Sequence, residues 1–366
     1  MKILVTGSSG FVGSNLVLRL RSLDHEVFTF DKNNTKEELN KFIEESDFIF
    51  HLAGVNRPTG NEAFKDNSSL TDDVINGVKS SGKKTPILIT SSIQAKLDNE
   101  YGKSKKEAED LLLKFQEENK NPVYIFRCPN LFGKWCRPNY NSVIATFCYN
   151  VAHDLPIQIN ESAPKIPFLY IDDLIDKMLE YLCKNQLFKG LIEDFITYEA
   201  TPKEVAELLY KFKKGRSDRF LAKQSGFEKK LYATYLSYLE PNDFKYDLEM
   251  HEDNRGSFTE LYKSEESGQT SVNIIHPGIT KGNHYHNSKN EKYIVVKGSC
   301  VTKFRKVGTS EVISYVTSGD KLEVIDIPTG YTHSISNIGK EDAVVVMWAS
   351  EPFDPDKPDT YFEVVE

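Results

Sequence analysis

Short, continuous apolar runs alternate with helix-like segments through the first third of the sequence. The runs are KILVT (2–6), EVFTF (26–30), DFIFHLA (47–53), PILITSS (86–92) and VYIFR (123–127). A strand that is apolar along its whole length is typical of a sheet buried on both faces. The alternation therefore predicts an α/β domain in which helices cover both sides of a parallel sheet.

Helical spacing follows the first run at FVGSNLVLRLRS (11–22), the second at TKEELNKFIEE (35–45) and the fourth at YGKSKKEAEDLLLKFQEE (101–118). Such helices are the crossover connections that parallel strands require. Thr35 and Glu38 have the spacing of a capping box, which predicts that the second helix begins at this point.

The pattern changes after residue 240. EPNDFKYDLEM (240–250) resembles a linker, and the rest of the chain is β-rich and interrupted by turns. Its apolar runs indicate the strands of a sandwich or barrel; they are SVNII, KYIVV, VTKFRKV, EVISYV, KLEVIDI and AVVVMW. We therefore predict two domains, 1–245 and 246–366.

Charge and composition exclude several classes of protein. The net charge of −8 argues against a general nucleic-acid-binding surface. No segment approaches the roughly 18–20 apolar residues of a membrane span, and no signal peptide precedes the first strand. The five cysteines form no C-x-x-C pair, which favours free thiols in the cytoplasm; they lie at positions 128, 136, 148, 183 and 300. We expect a cytoplasmic protein that neither inserts into a membrane nor binds nucleic acid.

Gly7, Gly10 and Gly13 form G-x-x-G-x-x-G between the first predicted strand and the first predicted helix. Glycine permits a sharp turn, a close approach of the backbone to a pyrophosphate, and tight helix–strand packing. The helix N-terminus then offers unpaired N–H groups to phosphates. This context favours a dinucleotide site over a tight turn without a ligand.

A Y-x-x-x-K pair at Tyr101 and Lys105 starts a predicted helix just after a strand that ends at Ser92. One helical turn places both side chains on one face. A nearby ammonium should favour the phenolate, so that Tyr101 could exchange a proton with a substrate oxygen. The same spacing recurs at Tyr210 and Tyr293, where no such context exists, and there it is expected to be structural.

Coenzyme choice is open at this stage. Asp31 ends the second predicted strand, where an acidic residue usually binds the ribose 2′-hydroxyl of NAD. Lys32 could instead meet the 2′-phosphate of NADP.

The second half carries a different set of reactive residues. His284, His286 and Glu291 lie between Gly278 and Gly298 in the pattern G-x5-H-x-H-x4-E-x6-G, and a later segment contributes His333. A lone histidine is more often a core or surface residue. Three imidazoles and a carboxylate in linked spacing instead predict a divalent transition-metal site with an open position for a ligand.

Over residues 1–240 the sequence resembles the extended short-chain dehydrogenase/reductases that act on nucleotide sugars. The shared motifs are TGSSGFVG, HLAG (51–54), the set of Ser92, Tyr101 and Lys105, RCPNLFG (127–133) and YIDDL (170–174). The resemblance implies a Rossmann-type doubly wound sheet in which Ser92 orients a carbonyl, Tyr101 is the acid and Lys105 also holds the cofactor ribose. Ser92 and Tyr101 are closer in sequence than is usual in that family.

The resemblance also implies two binding sites. The implied cofactor residues are Gly7, Gly10, Phe11, Val12, Gly13, Asp31, Lys32, Leu52, Ala53, Gly54, Tyr101 and Lys105. The implied substrate residues of this domain are Arg57, Arg127 and Asn130, although a surface position is the more frequent outcome for an arginine such as Arg57.

Residues 248–366 resemble the cupin superfamily, which implies a jelly-roll barrel with His284, His286, Glu291 and His333 as metal ligands. DNRGSFTELY (253–262) also resembles a segment of the dTDP-4-keto-sugar 3,5-epimerases. That likeness assigns Arg255 to substrate binding and His284 to the epimerisation base. Those epimerases generally need no metal, so the base must be another group if His284 is a ligand. Whether His286 is a ligand is also open.

The whole chain, including GKWCRPNYNSVIATFC (133–148) and FDPDKPDTYF (353–362), resembles bifunctional enzymes of bacterial capsular-polysaccharide synthesis. This implies C3 epimerisation and C4 reduction of a UDP-2-acetamido-4-keto-6-deoxyhexose, with NADPH (NADH possible), zinc and a homodimer. One alternative is a reductase whose second domain only dimerises it. Another is a metal-dependent oxygenase or isomerase whose first domain senses NAD(P).

Overall fold

The computed structural model describes residues 1–58, 64–182, 191–223 and 225–366. Cys128, Cys136, Cys148 and Cys300 are free and buried, and Cys183 lies outside the described residues. The chain divides into two compact units. The first consists of Met1–Leu209 and Ser225–Glu240, and the second of Tyr210–Gln224 and Pro241–Glu366.

The secondary-structure elements follow the predicted change of pattern. The helices are α1 (Phe11–Ser22), α2 (Lys36–Glu45), α3 (Asp66–Ser81), α4 (Glu100–Asn119), α5 (Val143–Ala152), α6 (Ile171–Leu179), α7 (Pro202–Asp218) and α8 (Gly226–Leu236). The strands of the first unit are β1 (Lys2–Thr6), β2 (Glu26–Phe30), β3 (Phe48–His51), β4 (Ile87–Ser92), β5 (Val123–Cys128), β6 (Asn130–Phe132), β7 (Ile166–Tyr170), β8 (Leu191–Ile192) and β9 (Tyr198–Ala200). Those of the second unit are β10 (His251–Asp253), β11 (Gly256–Ser264), β12 (Gly268–Ile275), β13 (Thr280–Tyr285), β14 (Glu291–Lys297), β15 (Ser299–Lys306), β16 (Val312–Ser318), β17 (Val324–Ile327), β18 (Tyr331–Asn337), β19 (Ala343–Ala349) and β20 (Tyr361–Phe362).

The central sheet of the first unit has the order β2-β1-β3-β4-β5-β8, and its strand pairs are parallel. Successive residues of one strand point to opposite faces. Ile3 and Val5 accordingly pack in one core cluster, with residues of α1 and α6, while Leu4 packs in another, with residues of α2, α3 and α4. The prediction of a parallel sheet covered on both faces is confirmed.

The capping box of α2 is also present. The Thr35 hydroxyl accepts a hydrogen bond from the Glu38 backbone N–H at 3.2 Å, and the Thr35 N–H donates to the Glu38 carboxylate at 2.7 Å. This reciprocal pair satisfies two N–H groups that the helix itself leaves without partners, so α2 begins at Lys36.

The second unit is built from two antiparallel sheets, β10-β11-β12-β19-β14-β17 and β16-β15-β18-β13-β20. One core cluster draws Ile275 and Val345 from the first sheet and Phe304 and Ile335 from the second, so the two sheets enclose a common core. The prediction that this half of the chain is all-β is confirmed. The strand predicted over KLEVIDI is shorter than expected, since β17 begins at Val324.

Residues Tyr210–Gln224 lie in the second unit, whereas the sequence analysis placed every residue up to 245 in the first domain. Backbone pairing explains this difference. The Leu221 N–H donates to the Lys263 carbonyl and the Lys263 N–H to the Arg219 carbonyl, both at 2.9 Å. An ion pair of 3.0 Å between Arg219 and Glu260 adds to this attachment.

Within the described part of the chain, no helix is both long enough and apolar enough to span a bilayer.

Candidate active site and candidate metal centre

The glycine loop after β1 is packed so tightly that two of its positions exclude a side chain. Gly7 has φ +68°, and a β-carbon there would lie 2.7 Å from the Ala53 backbone nitrogen. A β-carbon on Gly13 would lie 2.1 Å from the Gly7 carbonyl oxygen. Gly10 caps α1, whose first turn carries no acidic residue. The α1 N-terminus is therefore available to a phosphate.

A cavity of about 470 Å³ lies beside this loop. Eleven of the predicted residues line it: Gly7, Gly10, Phe11, Val12, Gly13, Leu52, Gly54, Ser92, Tyr101, Lys105 and Asn130. The other predicted residues of this domain do not line the cavity; they are Asp31, Lys32, Ala53, Arg57 and Arg127. The carboxyl end of β4 and the start of α4 thus place Ser92, Tyr101 and Lys105 in the same cavity as the glycine loop.

Tyr101 and Lys105 lie on one face of α4, with the Lys105 ammonium 5.9 Å from the centre of the Tyr101 ring. Burial raises the pKa of Tyr101 to about 12, an increase that the Ser92 hydroxyl partly opposes. Burial also lowers the pKa of Lys105 to about 8. Desolvation thus opposes the phenolate that the sequence analysis expected, because burial penalises the charged form. A protonated phenol is the form that can donate to a ketone oxygen.

Asp31 has partners that its sequence position does not reveal. Its carboxylate accepts hydrogen bonds from the Ser9 N–H at 3.1 Å, from the Ser9 hydroxyl at 2.9 Å and from the Ser8 hydroxyl. The residue therefore stabilises the glycine loop from the end of β2. Its predicted contact with a ribose would share these oxygens.

Arg127 is not placed to bind a substrate, and that prediction is wrong. Its side chain lies in the buried strand β5, where Nε donates to Glu109 at 2.8 Å and a terminal nitrogen pairs with Glu193 at 3.3 Å. Glu109 is fully buried and also accepts from the Ser91 hydroxyl at 2.6 Å. The Arg127 guanidinium neutralises the buried Glu109 carboxylate, which also bonds the cavity-lining residue Ser91. The function of Arg127 is therefore structural.

Replacing Arg127 by methionine should lower the free energy of unfolding by about 3–5 kcal/mol, because Glu109 is left charged and buried. Chemical denaturation followed by circular dichroism measures this change. The double variant Glu109→Gln with Arg127→Met should recover most of the loss. Lys96→Met removes the exposed partner of Glu193 and should cost at most about 1 kcal/mol. Equal losses for Arg127→Met and Lys96→Met would contradict the assignment.

Two asparagines beside the reactive tyrosine carry no motif and were missed in the sequence. The Tyr101 hydroxyl donates to the Asn56 side-chain oxygen at 3.0 Å. The loop that bears Asn56 is held by the buried Asn67, whose amide bonds both the N–H and the carbonyl of Val55, at 2.6 and 3.1 Å. Asn67 also donates to the Ser104 hydroxyl at 3.0 Å, which links this loop to α4.

Arg57 follows Asn56 and is exposed. The Tyr140 hydroxyl bonds both backbone groups of Arg57, at 3.2 and 3.4 Å, and the Arg137 guanidinium lies 5.2 Å from the Tyr140 ring centre. Tyr140 thus links the Arg57 backbone to the Arg137 side chain, next to the cavity-lining residues Asn56 and Asn141.

The second unit gathers the four predicted ligands into one cluster. One ligand atom from each of His284, His286, Glu291 and His333 can be chosen so that all lie within 4.8 Å of one another. His284 on β13 is paired with His333 on β18, and Glu291 begins β14. His286 follows the end of β13. Adjacent strands of both sheets therefore supply the donors.

The hydrogen bond of His286 indicates which of its ring nitrogens faces the cluster. His286 Nδ1 lies 2.6 Å from the Asp359 carbonyl oxygen, and His333 Nδ1 lies 3.4 Å from the Tyr331 carbonyl oxygen. A carbonyl only accepts, so His286 Nδ1 carries a proton. Both Nε2 atoms lie 3.6 Å from the same Glu291 oxygen. Among the described residues, His286 Nε2 is buried without a hydrogen-bond partner.

The charge state of the cluster suits a cation. Burial, together with His333, lowers the pKa of His284 to about 4, so its ring is neutral near pH 7. Tyr293 donates to Glu291 at 2.8 Å and orients the carboxylate. Neutral imidazoles and a carboxylate are the donors that zinc and related divalent metals take. The four residues, including His286, therefore fit a metal ion.

Three of these donors, His284, His286 and Glu291, line a cavity of about 570 Å³ whose lining also includes Lys281, which no motif marked. A β-bulge between Gly282 and His284, with Asn283 at φ +61°, shifts the alternation of β13 by one residue. Lys281 consequently lines the same cavity as His284. Its ammonium donates to Asn273 at 2.7 Å and to the Ile274 carbonyl at 3.1 Å, and burial lowers its pKa.

Arg255 does not join this cavity. It is exposed in the turn between β10 and β11, where Nε donates to Asp253 at 2.9 Å and its N–H donates to the other oxygen of that carboxylate at 2.8 Å. Among the described residues, the β10–β11 hairpin contributes His251, Phe258 and Glu260 to the cavity lining. The predicted substrate contact of Arg255 is thus not supported by its position.

Comparison with known proteins agrees with the two-part organisation. Residues 3–189 match the NAD dependent epimerase/dehydratase family, and residues 251–361 match the polysaccharide biosynthesis C-terminal domain. The chain is 46% identical over 370 residues to UDP-2-acetamido-2,6-beta-L-arabino-hexul-4-ose reductase from Pseudomonas aeruginosa. That alignment covers 99% of this chain and 98% of the relative.

Solved structures show the same extent of similarity. The capsular polysaccharide assembling protein CapF from Staphylococcus aureus superposes with a TM-score of 0.91 at 48% identity, covering 100% of both chains. UDP-glucuronic acid 4-epimerase from Bacillus cereus, solved with NAD, is 19% identical with a TM-score of 0.55. It covers 65% of this chain and 96% of its own, and it shows a shared fold alone. The chain therefore belongs to the NAD dependent epimerase/dehydratase family, as a member of the CapF type with a polysaccharide biosynthesis C-terminal domain.

Proposed function

We propose that the chain is a bifunctional nucleotide-sugar enzyme. Its all-β, cupin-like domain epimerises C3 of a UDP-2-acetamido-4-keto-6-deoxyhexose, and its first domain then reduces C4 with NADPH. The product is UDP-2-acetamido-2,6-dideoxy-L-talose, used to make N-acetyl-L-fucosamine for capsule or O-antigen. The observation that carries the proposal is that Tyr101, Lys105 and Ser92 line one cavity with the glycine loop while a four-donor cluster lies at a separate cavity.

The reduction is assigned to the first cavity. Bound NADPH supplies the hydride that reaches the ketone carbon. Tyr101, whose phenol stays protonated, donates a proton to the carbonyl oxygen, and Ser92 at the end of β4 orients that oxygen. The buried Lys105 places a positive charge beside the phenol and is the residue that would hold the cofactor ribose. The 46% identity to a 4-keto-sugar reductase supports this assignment.

The epimerisation is assigned to the second cavity. A C4 ketone acidifies the hydrogen on C3, so a base can remove it and the proton can return to the opposite face. A divalent metal, most suitably zinc, would supply positive charge for the ketone oxygen when bound by His284, His286, Glu291 and His333. His284 is also the base suggested by resemblance, and one imidazole cannot serve both roles at once. Lys281 provides a second positive charge in the same cavity.

The identity to a 4-keto-sugar reductase also supports a UDP-linked substrate. Arg137, whose guanidinium lies over the Tyr140 ring, and the exposed Arg57, whose backbone bonds the Tyr140 hydroxyl, are the candidate partners of the diphosphate of such a substrate. A homodimer and a cytoplasmic location complete the proposal.

Binding of NADPH should depend on the charge of Lys105. Because burial lowers its pKa from 10.5 to about 8, the ammonium is present below that pH and is lost above it. Affinity should therefore stay constant from about pH 6 to 7.5 and then fall by up to tenfold for each unit above about pH 8. Fluorescence titration of NADPH measures this, with Lys105→Met and the exposed Lys103→Met as the test and control variants.

Lys105→Met should bind weakly at every pH in this range, and Lys103→Met should follow the unchanged protein. A wild-type affinity that does not vary between about pH 6 and 10 would reject the assigned role of Lys105.

The reductase assignment is tested by incubating the purified chain with UDP-2-acetamido-4-keto-6-deoxyhexose and NADPH. We expect NADPH oxidation that requires the sugar, and a product whose C4 carries a hydroxyl group by NMR. Absence of sugar-dependent oxidation with this ketone would overturn the proposed reaction.

A further inference from the structure

The segment Pro358–Thr360 near the end of the chain is attached to the turn that follows β13. The Asp359 carboxylate accepts hydrogen bonds from the N–H groups of Asn287, Ser288 and Lys289, at 3.0, 2.9 and 2.8 Å. It also accepts from the Ser288 hydroxyl at 3.0 Å. One side chain thus fixes the backbone of the turn directly after His286.

A buried lysine attaches the same segment from the other side. The Lys289 ammonium donates to the Pro358 carbonyl at 2.8 Å and to the Thr360 hydroxyl at 3.0 Å. Asp359 itself adopts φ +38°, a strained conformation for a residue other than glycine. Such a conformation persists only where surrounding contacts determine it, as these do here.

The backbone of Asp359 acts directly on a cluster residue. Its carbonyl oxygen lies 2.6 Å from His286 Nδ1, and this oxygen cannot donate. Nδ1 therefore carries a proton, and Nε2 is the ring nitrogen that faces Glu291, at 3.6 Å. His286 is 2% exposed, so water does not compete for this arrangement.

We propose that Asp359 is a positioning residue for the metal centre. Its carboxylate holds the turn, its strained backbone directs the carbonyl at His286, and that bond selects the ring nitrogen that can bind a metal. The inference rests on the proposed metal centre. It explains how His286 is oriented so that Nε2 faces the other ligands. Hydrogen bonds of this kind to ligating histidines typically change metal affinity about 10–100-fold.

The test compares Zn²⁺ affinity of full-length variants by competition with a chromophoric chelator. Asp359→Gly removes the carboxylate while tolerating the positive φ, so it should bind Zn²⁺ about 10–100-fold more weakly than the unchanged chain. Asp359→Asn retains one acceptor and should fall between them. Asp356→Ala removes an exposed carboxylate two residues before this segment and should leave affinity unchanged.

A second readout needs no variant. Nitrogen-15 NMR of the histidine rings should show His286 protonated at Nδ1 in the metal-free protein, and Asp359→Gly should weaken that preference. If Asp359→Gly does not fold, the ring of the unchanged chain decides: an Nδ1 atom without a proton overturns the inference, and a protonated Nδ1 upholds it.

The outcomes separate this inference from the proposed function. If the unchanged chain binds no Zn²⁺, the metal centre fails and the inference falls with it. If the unchanged chain binds Zn²⁺ and Asp359→Gly binds it equally well, only the positioning role of Asp359 is overturned.

Discussion

Replacing Tyr101 by phenylalanine should lower kcat for reduction of the 4-keto sugar by about 10²–10⁴-fold. The phenol is the proposed acid, and burial keeps it protonated at neutral pH with a pKa of about 12. Phenylalanine retains the ring contact with Phe64 at 5.9 Å and removes only the hydroxyl. NADPH oxidation under saturating sugar measures the effect.

The chain contains its own control for this variant. Tyr210 has the same spacing to a following lysine and also lies on a helix, but it is exposed and does not line the cavity. Tyr210→Phe should keep full turnover. If Tyr101→Phe also keeps turnover within about threefold, the tyrosine is not the acid, and the alternative of a coenzyme-sensing domain gains support.

Replacing Glu291 by glutamine should abolish Zn²⁺ binding and C3 exchange together. Glutamine keeps the shape of the side chain but removes the negative charge that two imidazole nitrogens face at 3.6 Å. Loss of a direct ligand should exceed the roughly 10–100-fold effect of residues that act through a ligand. Chelator competition and deuterium incorporation at C3 measure the two losses.

The matched control is Glu351→Gln, which removes a carboxylate from the lining of the same cavity without touching the cluster. It should retain Zn²⁺ and exchange. Reduction of a ketone already epimerised at C3 should continue in Glu291→Gln. Exchange at the normal rate in a Glu291→Gln protein that has lost its metal would show that the centre is structural, as the dimerisation alternative requires.

The sequence predicts the fold well where one signal determines the outcome. Almost wholly apolar strands such as FIFH indicated the buried parallel sheet, and alternation with turns indicated the all-β half. The clustering of two predicted sets also follows from local spacing, because Tyr101 and Lys105 share one helix and His286 directly follows the strand that carries His284.

The failures arise where distant contacts decide. Arg127 has the charge expected of a substrate-binding residue. Its role follows instead from its ion pair with Glu109, which lies on a different element, helix α4, and is fully buried. The contact between His286 and Asp359 joins positions far apart in sequence, and the exposure of Lys281 to the cavity depends on a bulge that no motif marks. The pKa of Tyr101 is raised chiefly by burial, which the spacing to Lys105 does not reveal.

The most direct measurement of the account is an incubation of the purified chain with UDP-2-acetamido-4-keto-6-deoxyhexose in deuterium oxide, first without and then with NADPH. We predict deuterium at C3 before any coenzyme is added, and a C4 alcohol that retains this deuterium afterwards. A C4 alcohol that forms with NADPH while C3 keeps its original hydrogen throughout would contradict the claim that one ketone is used by two chemistries.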